Sequence, residues 1–345
     1  MTLSAVDSMA HGARAMSWRA DAATRGVPTW GLHPVGRAIS QVLWRFWDEE
    51  RRATPSADEL ARATPVLLAH GMGAFAQRRT RPIVQGIHGV GARSEQQRLK
   101  QAIASLERER IRCLLGVGTG CAPLYPEPGL RALDPDLIIE ADDLARAQRA
   151  VGPGTRIELR PLAAEAFAPL YEQATTRVLD DLEARCLAPE DELRLALLQV
   201  QQQGSVKPIW LCDVALLLER GRALHDRERV LAASAWNACV IQLARDVLGA
   251  RPPAELAEAI PTERVPAWVE RALLAGWGRP ASTLDRPAFA YVRKPQTWLN
   301  VVRDRIPDPI AVNARAGVSP RCSTLRAGFS VAFSVARELA RLVFK

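Results

Sequence analysis

The sequence predicts an α+β fold, in which a small sheet with flanking helices is embedded between N- and C-terminal helical regions. Most of the chain carries apolar residues at helical spacing. Residues 110–160 instead hold three short apolar runs bounded by glycine, proline or acidic residues, a pattern typical of strands. With 345 residues, of which 48% are hydrophobic, the chain can bury a core shared by several packed subdomains.

The region 28–108 is predicted to be helical. One helix is expected to begin after Ser56, because two acidic residues follow where the positive end of the helix dipole would lie. A second helix is predicted over 94–109, with one apolar face. The residues of that face are Leu99, Ile103 and Leu106.

The middle of the chain predicts a strand–helix–strand–helix–strand unit. The three strands are predicted at 111–117, 134–140 and 155–160. The glycines at 118 and 120 predict a turn after the first strand. A helix is expected over 142–150, capped by its first acidic residues.

Helices are predicted again from 162 to 278. Pro189, followed by acidic residues, is typical of a helix start. The run 209–219 is apolar except for Asp213. A last helix of this region is predicted from Glu228 to Leu248, ending at Gly249. Because an unpaired buried carboxylate is costly, we interpret Asp213 as the partner of an arginine or Lys207; a nucleotide contact is the alternative.

The excess of positive over negative charge lies at the end of the chain. The formal net charge is +8, and residues 279–345 carry 12 basic and 4 acidic residues, which accounts for all of it. This segment predicts either a solvated tail packed on the body or a surface for an anionic partner, such as nucleic acid or a membrane.

The last helix of this segment is predicted to be amphipathic. We favour docking of its apolar stripe against the protein core over contact with a membrane. The stripe comprises Phe329, Phe333, Ala336, Ala340 and Phe344, and the basic residues outside it are Arg337, Arg341 and Lys345.

Cysteine usage and hydropathy predict a cytoplasmic protein. The six cysteines include no C-x-x-C pair, which argues against a zinc site and a disulfide framework. No apolar run approaches the ~20 residues that cross a bilayer. Residues 1–27 contain no apolar block of the kind found in secretory signals.

Three acidic residues form the candidate catalytic site. Asp134 and Asp136 stand two residues apart in the second predicted strand, so their side chains point to the same side. Glu158 is the polar residue on its side of the next strand. Carboxylates so placed can hold Mg²⁺ or Mn²⁺ beneath a phosphate chain. The alternatives are a simple Asp-Pro-Asp turn and an exposed edge-strand glutamate.

Five segments, in order, resemble a family of uncharacterised bacterial nucleotidyltransferases within the DNA polymerase β-like superfamily. The resemblance extends over roughly residues 60–255. The segments are Leu124–Arg131, the D-x-D-L motif that begins at Asp134, Ile157–Leu159, Leu187–Leu193 and Trp210–Leu218.

The resemblance implies a mixed-sheet nucleotidyltransferase core that transfers a nucleotidyl group from a nucleoside triphosphate. The resemblance does not identify the acceptor, which could be a small molecule, a protein or a nucleic acid. By analogy, Asp134 and Asp136 would hold magnesium and Glu158 would be the third acid. Gly118, Thr119 and Arg131 would lie at the nucleotide; these three are the predicted nucleotide-binding residues.

The active-site motif departs from the family pattern and is degenerate. The Lys-Gly pair that usually follows the first strand is absent. Pro135 stands between the two aspartates, where it fixes φ and removes a hydrogen-bond donor. Arg160-Pro161 replace the usual His-Trp. The alternative hypothesis is therefore a catalytically degenerate fold that serves as a binding or scaffold module.

We predict five regions along the chain. They are a flexible N-terminal segment (1–27), a helical region (28–108), a nucleotidyltransferase-like core (109–186), a C-terminal helical region (187–278) and the basic segment (279–345).

Overall fold

The structure is a computed structural model of the chain. It describes residues 34–77, 82–127, 130–131, 135–153, 155–179, 182–204, 207–220, 230–231, 234–278 and 308–343. Within these ranges, the side chains of 77, 82–93, 179, 182 and 335–343 lie outside the description. The predicted segment 1–27 lies outside the described residues, as do Asp134 and all of 279–307.

A five-stranded mixed sheet forms the centre of the molecule, which confirms the predicted α+β fold. The strand order is β3-β2-β1-β5-β4, with β1–β2 and β4–β5 antiparallel and β2–β3 and β1–β5 parallel. The strands are β1 (Cys113–Leu115), β2 (Asp136–Glu140), β3 (Glu158–Leu162), β4 (Thr175–Leu179) and β5 (Leu182–Cys186).

The three predicted strands are present with shifted bounds. The first is shorter than 111–117, the described part of the second begins at Asp136, and the third begins at Glu158 and continues through Pro161. A proline is tolerated there because β3 lies at the edge of the sheet, where its missing N–H interrupts no ladder on the outer side.

The β4–β5 hairpin corrects the prediction that helices resume at residue 162. The β-branched and apolar residues of β4 suit a strand. In β5, exposed Glu183 and Arg185 alternate with buried Ala184 and Cys186, the period expected of a strand with one buried face.

Four of the described helices precede the sheet in the sequence. As predicted, one of them begins after Ser56, whose hydroxyl accepts a hydrogen bond from the Glu59 N–H while the Glu59 carboxylate accepts one from the Ser56 N–H. The helices are α1 (Pro34–Leu43), α2 (Ala57–Ala69), α3 (Gly73–Gln77) and α4 (Pro82–Arg108).

Two helices follow β1 and β2. Residues 118–120, predicted to form a turn, lie inside α5 (Val117–Cys121), which a 3₁₀ turn (Ala122–Leu124) extends. A second 3₁₀ turn (Ala141–Asp143) leads into α6 (Leu144–Val151), near the predicted helix over 142–150.

Helices also follow the sheet. Two predicted ends are confirmed: α8 starts at Pro189, and the helix that ends before Gly249 is capped by that glycine in the left-handed conformation, with φ of 78°. The described part of the latter helix begins at Ala235, with Ser234 as its cap, rather than at the predicted 228.

Eight helices are described from β3 onward. They are α7 (Ala164–Gln173), α8 (Pro189–Gln203), α9 (Pro208–Arg220), α10 (Ala235–Leu248), α11 (Ala254–Ala259), α12 (Ala267–Trp277), α13 (Pro309–Arg315) and α14 (Thr324–Val343). Within the described ranges, no helix combines the length and the apolar character that crossing a bilayer requires.

The two faces of the sheet pack into different apolar clusters. Leu114 and Ile138 face the large cluster formed by most of the helices, whereas Leu115 and Leu137 face a smaller one with α4 and α6. Since side chains alternate along a strand, Asp136 lies on the same side as Ile138, toward the large cluster. The polar site therefore adjoins the principal core.

Candidate functional site

The candidate site lies at the start of β2, where the strand meets α5. Asp136 is buried there, with 3% of its surface exposed. Its Oδ1 accepts hydrogen bonds from the Thr119 N–H at 3.2 Å and the Thr119 hydroxyl at 3.1 Å. In return, the Asp136 N–H donates to the Thr119 hydroxyl oxygen at 3.0 Å. This reciprocal pair fixes the carboxylate against the first turn of α5.

Two glycines make room for that carboxylate. A side chain at Gly116 would overlap Oδ2 of Asp136, and one at Gly118 would overlap the Arg131 guanidinium. The Gly116 N–H also donates to the Asp136 carbonyl at 2.8 Å. Glycine is therefore required here by close approach rather than by an unusual backbone conformation.

Glu158 is the register partner of Asp136 across the parallel β2–β3 pair. Partners in register project to the same side of a sheet, so the two acids share one face, as the sequence predicts. Their surroundings differ, since the Glu158 side chain is 61% exposed and that of Asp136 only 4%.

Arg160 lies between these two acids. Its Nε is 3.5 Å from Asp136 Oδ2, and its Nη2 is 3.3 Å from Glu158 Oε2. In the sequence, Arg160 stands out only as a departure from the family pattern. Its spacing of two residues from Glu158 was the signal that it shares the face of the acids.

A second, fully buried pair lies behind the site. Arg131 donates through Nε to Asp213 Oδ1 at 2.8 Å and through Nη2 to Oδ2 at 2.9 Å. The Tyr125 hydroxyl donates to Asp213 Oδ1 at 2.7 Å. The predicted pairing of Asp213 with an arginine is confirmed, and the partner is Arg131.

Burial and the neighbouring charges act in opposite directions on the pKa values of this pair. Burial raises the pKa of the Asp213 carboxyl, and Arg131 and the Tyr125 hydroxyl counteract only part of that rise. Burial alone lowers the pKa of the Arg131 guanidinium, but the carboxylate of Asp213 outweighs it and raises that pKa above its ordinary value. Burial also raises the pKa of Tyr125 well above normal, and Asp213 adds to the effect. Tyr125 therefore stays a hydrogen-bond donor over the whole physiological range of pH.

A third ion pair supports α5 from the hairpin side. Arg177 on β4 donates to Glu192 Oε2 at 2.7 Å, and Glu192 is buried in the first turn of α8. A side chain at Gly120 would overlap the Glu192 carboxylate. This pair could not be predicted from the sequence, because the pattern does not indicate the strand β4 that carries Arg177.

The structure gathers part of the predicted residue set. Asp136, Thr119 and Gly118 lie together, with Glu158 on the same face, while Asp134 lies outside the described residues. Arg131 reaches Gly118, but its guanidinium binds Asp213.

The oxygen donors suit a hard cation. Asp136 Oδ2 and the Glu158 carboxylate both face Arg160, which shows that this point of the sheet already attracts positive charge. Within the described ranges, no group of three or more histidine, cysteine, aspartate or glutamate residues is placed to hold a metal.

Comparison with known proteins gives little similarity. No family model matches the chain, and no curated protein matches it. An antigenic nucleotidyltransferase-like protein from Paracoccidioides brasiliensis, known from its crystal structure, superposes with a TM-score of 0.34 at 18% identity, over 50% of this chain and 96% of that chain. A likeness at this level carries no argument about family or activity.

Proposed function

We propose that this chain is a nucleotidyltransferase-like enzyme that moves a nucleotidyl group from a nucleoside triphosphate to an acceptor. The observation that carries the proposal is the placement of Asp136 and Glu158 in register on β2 and β3, with Asp136 held against glycine-rich α5. The motif resemblance described above supports the same reading.

Asp134 and Asp136 would hold Mg²⁺ or Mn²⁺. When bound, the ion would neutralise charge on the triphosphate and so favour departure of pyrophosphate. Thr119 holds the Asp136 carboxylate in place through two hydrogen bonds at Oδ1, which leaves Oδ2 facing Arg160. Arg131, beside Gly118, is a positioning residue that ties this turn to α9 through Asp213.

Glu158 would act as the general base. Its carboxylate is exposed beside Asp136, so an acceptor hydroxyl could approach it. In the proposed step, the acceptor oxygen forms a bond to the α-phosphorus, the bond to pyrophosphate breaks, and the hydroxyl proton passes to Glu158.

The test is incubation with each labelled nucleoside triphosphate and Mg²⁺, alone and with candidate acceptors. Asp136→Asn keeps the shape of the side chain but removes its charge, and we expect it to lower transfer by about a hundredfold or more. Glu140→Gln, at the other end of β2 where Glu140 pairs with Arg112 at 2.8 Å, is the matched control. Equal transfer by Asp136→Asn and the wild type would refute the proposal.

The second candidate is a catalytically degenerate fold that serves as a binding or scaffold module. Arg160 favours it, because a guanidinium paired with both acids places a built-in cation at the point where a metal would bind. Calorimetry with Mg²⁺ and nucleotides separates the two candidates. Heat of nucleotide binding without transfer indicates a binding module, and no heat for any nucleotide indicates a scaffold.

A further inference from the structure

Three large apolar side chains in the described part of α14 point away from the protein body. Leu325, Phe329 and Phe333 on α14 are 76%, 73% and 74% exposed. They recur at intervals of four residues and so form a stripe along one side of the helix. The predicted docking of Phe329 and Phe333 against the core is therefore wrong.

A small residue, Ala327, packs α14 against the protein body instead. Ala327 is buried, with 4% exposed, and its carbonyl accepts a hydrogen bond from the side-chain amide of Asn313 on α13 at 3.4 Å. Ala327 lies two positions from both Leu325 and Phe329, and two positions on an α-helix correspond to about 200° of rotation. The attached side and the apolar stripe thus face opposite directions.

In the sequence, the charged residues of α14 and its ends are mostly basic. Arg326 is exposed and lies three residues before Phe329, on the flank of the stripe. From residue 321 to the end, the sequence has one acidic residue, Glu338. The basic residues of this stretch are Arg321, Arg326, Arg337, Arg341 and Lys345.

The combination fits an anionic lipid surface. A helix with large apolar side chains on one side and arginines beside them lies in the plane of a membrane, with its apolar face about 5–10 Å into the boundary between headgroups and acyl chains. The arginine stems can lie along the apolar surface while the guanidinium groups reach the phosphates.

Two other occupants fit the surface less well. Two copies meeting through this face would bring the basic residues of α14 together, and Glu338 is the one acidic residue between 324 and 345 that could offset them. Arg321 already pairs with Glu263. A nucleic acid would meet the arginines, but its backbone offers nothing to cover two phenylalanines and a leucine.

We propose that α14 docks the chain on anionic membranes, with Leu325, Phe329 and Phe333 inserted and the basic flank at the phosphates. This proposal does not depend on the nucleotidyltransferase proposal.

Flotation of the full chain with lipid vesicles tests the proposal. We expect binding to vesicles of phosphatidylcholine with phosphatidylglycerol, and binding at least about tenfold weaker to vesicles of phosphatidylcholine alone. The double variant Phe329→Ser/Phe333→Ser should weaken binding to the anionic vesicles by at least about tenfold, since it removes most of the inserted apolar surface. Because both side chains are exposed, its thermal unfolding should match that of the wild type.

Val178→Ser is the matched control. Val178 is also 68% exposed but lies on β4, and its loss should leave vesicle binding unchanged. The proposal is overturned if the wild type does not float with anionic vesicles, or if the double variant floats as well as the wild type. It is equally overturned if the wild type binds only duplex DNA or RNA, or if the double variant merely converts a dimer into a monomer in light scattering.

Discussion

Arg160 is the positively charged residue that contacts both acids of the candidate site. Its guanidinium contacts both acids, at 3.5 Å and 3.3 Å, and so competes with any added cation for the same oxygens. The competition is modest, because the Arg160 side chain is 37% exposed and solvent screens the pair. We therefore expect Arg160 to weaken cation binding at the proposed site without abolishing it.

We predict that Arg160→Gln tightens binding of Mn²⁺ by about two- to fivefold, the range that partly exposed ion pairs span. Titration of the free ion by electron paramagnetic resonance measures this affinity without any turnover. The matched control is Arg112→Gln, since Arg112 pairs with Glu140 at the far end of β2. Identical affinities in wild type and Arg160→Gln would show that Arg160 does not occupy the cation position.

At this scale, the sequence predicts that Asp136 and Glu158 share one face of the sheet, but it does not identify the partners of the buried charges. The two-residue period of strands places Glu158 on the face of Asp136 without any tertiary information. The pairing of Arg131 with Asp213 joins residues 82 positions apart, and only the tertiary fold selects that arginine from 42 candidates.

At the scale of elements, local signals explain which predictions are confirmed. The start of α2 follows from Ser56 and Glu59, which satisfy each other's backbone N–H groups. The end of α10 follows from Gly249, whose positive φ suits the cap of a helix. The β4–β5 hairpin is not predicted because charged residues, Arg177 in β4 and Glu183 and Arg185 in β5, interrupt the apolar run that marks a buried strand.

We predict that Ser56→Ala lowers the free energy of unfolding by about 1 kcal/mol, the usual cost of losing a helix cap. Denaturant unfolding followed by circular dichroism measures the change. Ser94→Ala, on the exposed side of α4, serves as the control and should be neutral or slightly stabilising, because alanine is the better residue inside a helix. A loss at Ser94 as large as that at Ser56 would contradict the assignment of the cap.

At the scale of the whole molecule, Tyr125 connects regions that are distant in the sequence. Its ring stacks on Phe46 with centroids 5.6 Å apart and meets Phe75 edge-on at 6.4 Å. Its hydroxyl donates to Asp213 on α9, which also holds Arg131. The N-terminal helices, the turn before β2 and the C-terminal helices therefore meet at one residue.

This connection predicts that the three regions unfold together. Tyr125→Phe keeps the ring but removes a donor from a buried carboxylate, so we expect it to lower the free energy of unfolding by about 1.5–3 kcal/mol. The transition should remain single and coincide in circular dichroism and tryptophan fluorescence. Tyr171→Phe, at a half-buried ring that stacks on Phe167 at 5.5 Å, should change stability by no more than about 0.5 kcal/mol. Separate transitions in Tyr125→Phe would mean that the helical regions fold independently of the sheet, and that the contacts of Tyr125 do not hold the molecule together.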